Sequence, residues 1–118
     1  MPKSSEFVET VCECLAPLGQ VRTRAMFGGW GIYVDGRFCA IVHRGALYFK
    51  ADETSRPEFE AKGLQPFKPF PDQEMVMPYY DAPPEVFEEQ AEMLAWGRKA
   101  LAAALRSQKK KPAGRRKR

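Results

Sequence analysis

Two Gly-closed breaks, Asp35-Gly36 and Arg44-Gly45, cut one apolar stretch into short segments and so restrict residues 20–51 to a meander of antiparallel strands. Asp35-Gly36 lies between Trp30–Val34 and Phe38–Val42. A two-residue Asp-Gly loop favours a type I′ hairpin, because both central residues need positive φ and the turn's twist matches that of the flanking strands. Arg44-Gly45 repeats the signal more weakly before Leu47-Tyr48-Phe49. Upstream, Val21, Thr23, Ala25 and Phe27 alternate with Arg22, Arg24 and Met26, the two-residue period of a strand with one buried face. Three or four strands are therefore expected before residue 52.

The flanks read as helix. Ser4 or Ser5 is placed to cap a first helix, with Phe7, Val8, Val11, Cys12 and Leu15 as its core stripe and Pro17-Leu18-Gly19 as its end. Ser55-Arg56-Pro57-Glu58 matches a capping box, which would start a short helix directing Phe59 at the sheet and ending at Gly63. Residues 64–73 hold three prolines and read as extended or looped; residues 75–80, MVMPYY, read as a strand that Pro78 restricts to an edge or an early end. Pro83-Pro84 precedes a last helix to about Leu105, with Met93, Leu94, Gly97, Ala100, Leu101, Ala104 and Leu105 on one face and Trp96 at its border. Hairpins demand antiparallel pairing, and amphipathic helices need a sheet to cover. The fold class is α+β, a two-layer domain with an antiparallel sheet in the order α-β(3–4)-α-β(1–2)-α.

Length and hydrophobic content suit one domain with its own core, 118 residues at 44% hydrophobic. The net charge of +4 hides a division. Of 19 basic and 15 acidic residues, eight basic and no acidic ones lie in 106–118, which leaves 11 against 15 in the rest. A mildly acidic body (1–106) thus precedes a disordered basic tail (107–118), whose Lys109, Lys110, Lys111, Arg115, Arg116, Lys117 and Arg118 are expected to contact DNA or RNA phosphates without sequence preference. No apolar run is long enough to span a bilayer and no secretory signal is present, so no membrane partner is expected. Three cysteines within apolar patterns suit free thiols in a reducing cytoplasm.

Gly28-Gly29-Trp30-Gly31 runs into a strand, not a helix, so it reads as a bend or bulge and not as a phosphate cradle. Cys12 and Cys14 point to different sides of a helix, and Cys39 and His43 share a strand face ~13 Å apart, so no metal site is assigned. Glu88, Glu89 and Glu92 read as a solvated helix face. With one histidine and no nucleophile context, no catalytic or cofactor-binding residue is assigned and a non-enzymatic protein is expected. The candidate interaction surface is Arg22, Arg24, Trp30 and Tyr33. The two arginines either join Lys50 or Arg37 in a basic group or pair with carboxylates, and the two aromatics lie on opposite sheet faces, one of them free for a partner.

The run Arg22-x-Arg24-x-Met26-Phe27-Gly28-Gly29-Trp30-Gly31-Ile32-Tyr33 resembles the N-terminal domain of the TfoX/Sxy family of bacterial competence regulators. The likeness continues, in order, through residues 47–52, 59–64, Pro66-Phe67 and Trp96-x-x-Lys99-Ala100-Leu101. The resemblance implies a two-layer fold and a stand-alone form of a domain whose family members help to switch on DNA-uptake genes through partners in transcription. The expected function is a regulatory interaction module with a protein partner, nucleic-acid contact through the tail, and edge strands that allow a homodimer. The alternatives are a nucleic-acid-binding protein reading through its sheet surface, and an enzyme or small-ligand binder.

Overall fold

The computed structural model describes residues 2–26, 28–68 and 76–115, and the side chains of residues 6–26, 28–68 and 76–107. Helix α1 (Pro2–Leu15) leads through a 3₁₀ turn (Ala16–Leu18) into strands β1 (Val21–Met26), β2 (Gly29–Val34), β3 (Arg37–His43) and β4 (Ala46–Lys50). After α2 (Arg56–Ala61) come β5 (Pro66–Phe67) and β6 (Met77–Asp81), a 3₁₀ turn (Pro84–Phe87) and α3 (Gln90–Arg115). One six-stranded antiparallel sheet results, in the order β1-β2-β3-β4-β6-β5, with helices against it. This is the α+β class and element order that the sequence predicts.

The turn chemistry explains the meander. Asp35 and Gly36 take φ of 51° and 79°, and Arg44 and Gly45 take 52° and 77°, so both hairpins have the paired positive φ of a type I′ turn. The Asp35 carboxylate accepts the Gln20 N–H (2.8 Å), which ties the first hairpin to the start of β1. Gly29 and Gly31 permit close approach: a Cβ at Gly29 would strike the Val42 carbonyl, and one at Gly31 would lie 2.6 Å from Met26 Cε.

The core lies between sheet and helices. Val8, Val11 and Leu15 of α1, Phe59 of α2, and Met93, Trp96 and Ala100 of α3 pack on Ile32, Val34, Ala40, Val42, Leu47 and Phe49. Phe59 is fully buried, with its ring 4.9 Å from Trp96 and 5.4 Å from Tyr80. Burial of a side chain this size stabilises the fold by roughly 1.5–3 kcal/mol. Trp96 is therefore a core residue, not a border one, whereas Leu105 is exposed (39%). Gly97 sits where a Cβ would meet Leu15 and Leu18 at 2.8 Å, so α3 crosses the end of α1 at close range.

Several expectations are corrected. Strand β1 has no buried face: as an edge strand it leaves Arg22, Thr23, Arg24 and Ala25 exposed, while Phe27 lies outside the described residues. Helix α1 begins at Pro2, before the serines expected to cap it. Ser55 flanks α2 without a side-chain cap bond; its hydroxyl turns back to Asp52, and Glu58 reaches Lys99 (2.9 Å) instead of closing the capping box. The end of α2 does follow expectation: Gly63 (φ 76°) donates to the Glu60 carbonyl and Leu64 to that of Phe59, a Schellman ending. Strand β6 is interior, between β4 and β5, and Pro78 is accommodated at a shift in its pairing with β5.

Helix α3 continues past Leu105 to Arg115, so the backbone of 107–115 is helical where composition predicts disorder. Gln108 and the three lysines favour helix, and extending an existing helix avoids the cost of nucleation; Pro112 and Gly114, which oppose helix, fall in its last turn. Arg116, Lys117 and Arg118 lie outside the described residues, as do Met75 and residues 69–73, half of the Pro-rich stretch before it, whose described half holds β5. Among the described residues, no helix is long and apolar enough to cross a membrane.

Candidate functional site

The strand period sorts side chains onto two faces. Trp30, Ile32 and Val34 of β2 join the helix-side core, so Gly31 and Tyr33 belong to the far face. On β3 the alternation breaks. Ile32 pairs with Ala40 but Tyr33 with Phe38, which leaves Cys39 as the extra residue of a bulge. Cys39 and Ala40 both join the helix-side core, while Phe38 and Ile41 join a second cluster. Cys39 and His43 therefore do not share a face as the simple period predicts.

The second cluster is built from strand residues alone: Ile41, Phe67 and Tyr79, with Phe38, Tyr48 and Met77 packed around them. Its rings form a nearly continuous band. Tyr33 stacks on Phe38 (5.0 Å), Phe38 meets Tyr79 (5.2 Å), and Phe67 meets both Tyr48 (4.7 Å) and His43 (5.1 Å). At the hairpin end of this band a cleft of about 230 Å³ opens between Tyr33, Arg37, Phe38, Lys50 and Tyr79 on the sheet and Ala104 and Ser107 of α3. Lys50 Nζ lies 5.1 Å from the centre of the Tyr79 ring. Arg37 Nε is buried without a hydrogen-bond acceptor among the described residues. Burial, reinforced by Cys39 and Tyr33, raises the Tyr79 hydroxyl above its ordinary pKa, so that ring enters as a neutral surface.

The residues singled out from sequence divide between the faces. Arg22 lies directly opposite Tyr33, and Arg24 opposite Gly31, so both arginines share the far face with Tyr33. Both are exposed, and among the described residues neither forms an ion pair. Neither joins Arg37 or Lys50 directly, because those residues are two and three strands away in the sheet. Trp30 is on the other face, lining a separate hollow of about 170 Å³ with Val8, Glu9 and Thr23. Lys109, Lys110, Lys111 and Arg115 lie on the helical continuation of α3, two or more residues beyond Ser107. Glu88 and Glu89 precede α3 and are exposed, and only Glu92 is within it.

A cation and a carboxylate distant in sequence form a two-point polar contact. Asp52 accepts two bonds from Arg106, at 2.5 and 2.9 Å, and two more from the Thr54 and Ser55 amides at 3.1 Å. Chiefly through Arg106, its carboxyl is held well below the usual range. Asp52 also lines a cleft of about 250 Å³ with Arg56, Pro66, Met77 and Tyr80. Sequence reasoning missed this pair, and it missed Phe38, Lys50 and Tyr79 as partners of Tyr33. The alternation Tyr48-Phe49-Lys50 placed Lys50 on the far face; nothing in the sequence placed β4 beside β6.

Among the described residues, no three His, Cys, Asp or Glu side chains come together as a metal site. The three cysteines are free; burial pushes the Cys39 thiol up to about 12. The site is thus a cationic and aromatic surface suited to stacking and to holding anions. A comparison with curated proteins finds no match. The family model of the TfoX N-terminal domain, by contrast, matches residues 13–104, from the middle of α1 to the part of α3 that walls the cleft. By that match, over most of its length, the chain belongs to the TfoX N-terminal domain family.

Proposed function

We propose that this protein is a non-enzymatic regulatory module in which the folded body meets a protein partner and the basic C-terminal segment adds affinity for DNA or RNA. The observation that carries this reading is the exposure of Arg22 and Arg24 beside Tyr33, on a strand edge where neither arginine is neutralised by an ion pair among the described residues. Exposed arginine beside an aromatic ring is the composition of protein interfaces. Family membership supports a role like that of competence regulators, in transcription. The free thiols support a reducing compartment, the cytoplasm. The free edge of β1 suits pairing with a second copy.

The charge division supports the second half of the reading. Arg106 is neutralised by Asp52, so the cations available to phosphate in this segment are those beyond Ser107. Such a segment binds nucleic acid without sequence preference and with a steep salt dependence. The test is affinity capture with and without nuclease, using the full chain and one lacking residues 108–118. A reduced nucleic-acid retention with an unchanged melting temperature supports the division into body and segment; undiminished retention refutes it. Alanine at Arg22 and Arg24 removes the protein partner if the body is the partner-binding part, and leaves capture unchanged if it is not.

A further inference from the structure

We propose that the cleft beside Tyr33 binds an unpaired nucleotide of single-stranded RNA or DNA, with the base against the Tyr33–Phe38 pair and its phosphate at Arg37. This rests on the reading of the protein as a binding module and names a ligand for the body that is independent of the basic segment.

Three observations converge on this ligand. The Tyr33 and Phe38 rings stack at 5.0 Å and are both half-buried, so each retains surface at the cleft, while Tyr79 beneath them is buried and fixes their floor. A rigid aromatic platform stacks bases of any sequence. Arg37 lines the same cleft, and the charge of its guanidinium suits the phosphate of a bound nucleotide. Cations then continue along the same face: Arg22 stands opposite Tyr33, with Arg24 beyond it. The nearest carboxylate of the hairpin, Asp35, is occupied by the Gln20 N–H.

The geometry selects single strands over duplex. A duplex hides its base faces within the stack, so it offers phosphate to the arginines but no ring to Tyr33. A cleft of about 230 Å³ also matches a single nucleotide unit better than a helix groove. An acidic peptide would satisfy the cations without needing the platform, and that difference separates the two occupants.

The experiment uses the full-length chain in two forms, native and with every cation beyond Ser107 replaced by glutamine. Binding of labelled oligo-uridine, oligo-thymidine and a mixed-sequence duplex, each of about ten units, is followed by fluorescence anisotropy at low and moderate salt. The neutralised chain is expected to retain binding of the single strands and to prefer them to duplex by roughly tenfold. Tyr33→Ala should weaken single-strand binding by about tenfold without changing the weak duplex contact, and Tyr33→Phe should restore it, because stacking needs the ring and not the hydroxyl. Arg37→Gln should reduce affinity and lower the salt slope by about one. The oligo-uridine and oligo-thymidine arms decide between RNA and DNA.

Equal affinity for strand and duplex overturns the proposal, as does unchanged single-strand binding by a Tyr33→Ala chain that melts like wild type. Competition by an acidic peptide that is indifferent to Tyr33→Ala assigns the cleft to a protein and also overturns it. If the neutralised chain binds no nucleic acid, the cleft proposal fails while the role of the basic segment stands. If the neutralised chain binds single strands as tightly as the native one, the cleft proposal stands and the segment's role fails.

Discussion

Arg106 closes a two-point fork on Asp52, Nε at 2.5 Å from Oδ2 and Nη2 at 2.9 Å from Oδ1, across 54 residues of sequence. The pair pins α3 to the loop between β4 and α2, next to the cleft wall formed by Ala104 and Ser107. Asp52 also holds the amides of Thr54 and Ser55 where a capping residue would. Asp52→Ala removes both functions and should lower stability by about 1–2 kcal/mol in chemical denaturation. Arg106→Gln leaves the amide bonds intact and removes a partner that is 40% exposed, so it should cost no more than about 1 kcal/mol. Nearly equal losses for the two variants would show that the fork, not the turn, dominates.

The same carboxylate sets an acid limb. Its folded pKa is depressed, chiefly by the Arg106 hydrogen bond, so the folded state binds fewer protons than the unfolded chain. The stabilisation is complete above the ordinary value of 3.8 and is lost as pH falls below it. Asp81 works oppositely: burial raises its folded pKa, so ionising it costs stability at neutral pH, and that cost fades as pH falls through the raised value. Thermal melts between about pH 7 and pH 2 should therefore show a shallower acid limb for Asp52→Asn, and a gain for Asp81→Asn that is confined to the upper part of the range.

Two neighbouring glycines should respond differently to alanine. At Gly29 the new Cβ meets the Val42 carbonyl and lies 3.1 Å from His43 Cα, both backbone of the adjacent strand. Backbone within a sheet cannot yield locally, so the loss should reach about 2–3 kcal/mol. At Gly28 there is open space but φ is 78°, and the cost is the left-handed penalty of about 1 kcal/mol. Asparagine at Gly28 should recover part of that loss and none at Gly29. Urea titrations of the four variants check the ranking.

Thiol chemistry should report the bulge in β3. Cys39 is 2% exposed with its pKa pushed up to about 12, whereas Cys12 and Cys14 are half-buried on α1. Under native conditions iodoacetamide should modify the α1 thiols first, and Cys39 only at the rate of unfolding. Early modification of Cys39, read by peptide mass, would place it on the far face that uninterrupted alternation implies.

Arg22 and Arg24 should prove dispensable for folding. They are exposed on an edge strand and form no ion pair among the described residues, so the double alanine variant should stay within about 0.5 kcal/mol of wild type. Its loss should be in binding instead. A fall in melting temperature without a change in binding would make the two arginines structural.

Turn and helix-end chemistry was legible. Asp35-Gly36 supplies, and Arg44-Gly45 admits through its glycine, the positive φ that a type I′ turn demands, so the hairpins are marked by local steric preference; Gly63 ends α2 for the same reason. The opposite placement of Trp30 and Tyr33 follows from the strand period, which held across β2. The period failed one strand later, because the bulge at Cys39 depends on how β3 registers with β2 and not on β3 itself. The capping box failed because Ser55 found Asp52, a competing partner that a four-residue pattern does not weigh.

Sequence by itself thus determined the elements, their order, the α+β class and the separation of acidic body from basic end, since each depends on sterics, periodicity or composition within a few residues. Tertiary structure decided which strand became a bare edge, that Trp96 fills the core, that Arg106 meets Asp52, and that Tyr33, Arg37, Phe38 and Lys50 share one cleft with α3. These outcomes join residues far apart in the chain. The free energy that selects them exists only once the sheet is assembled and the helices are laid against it.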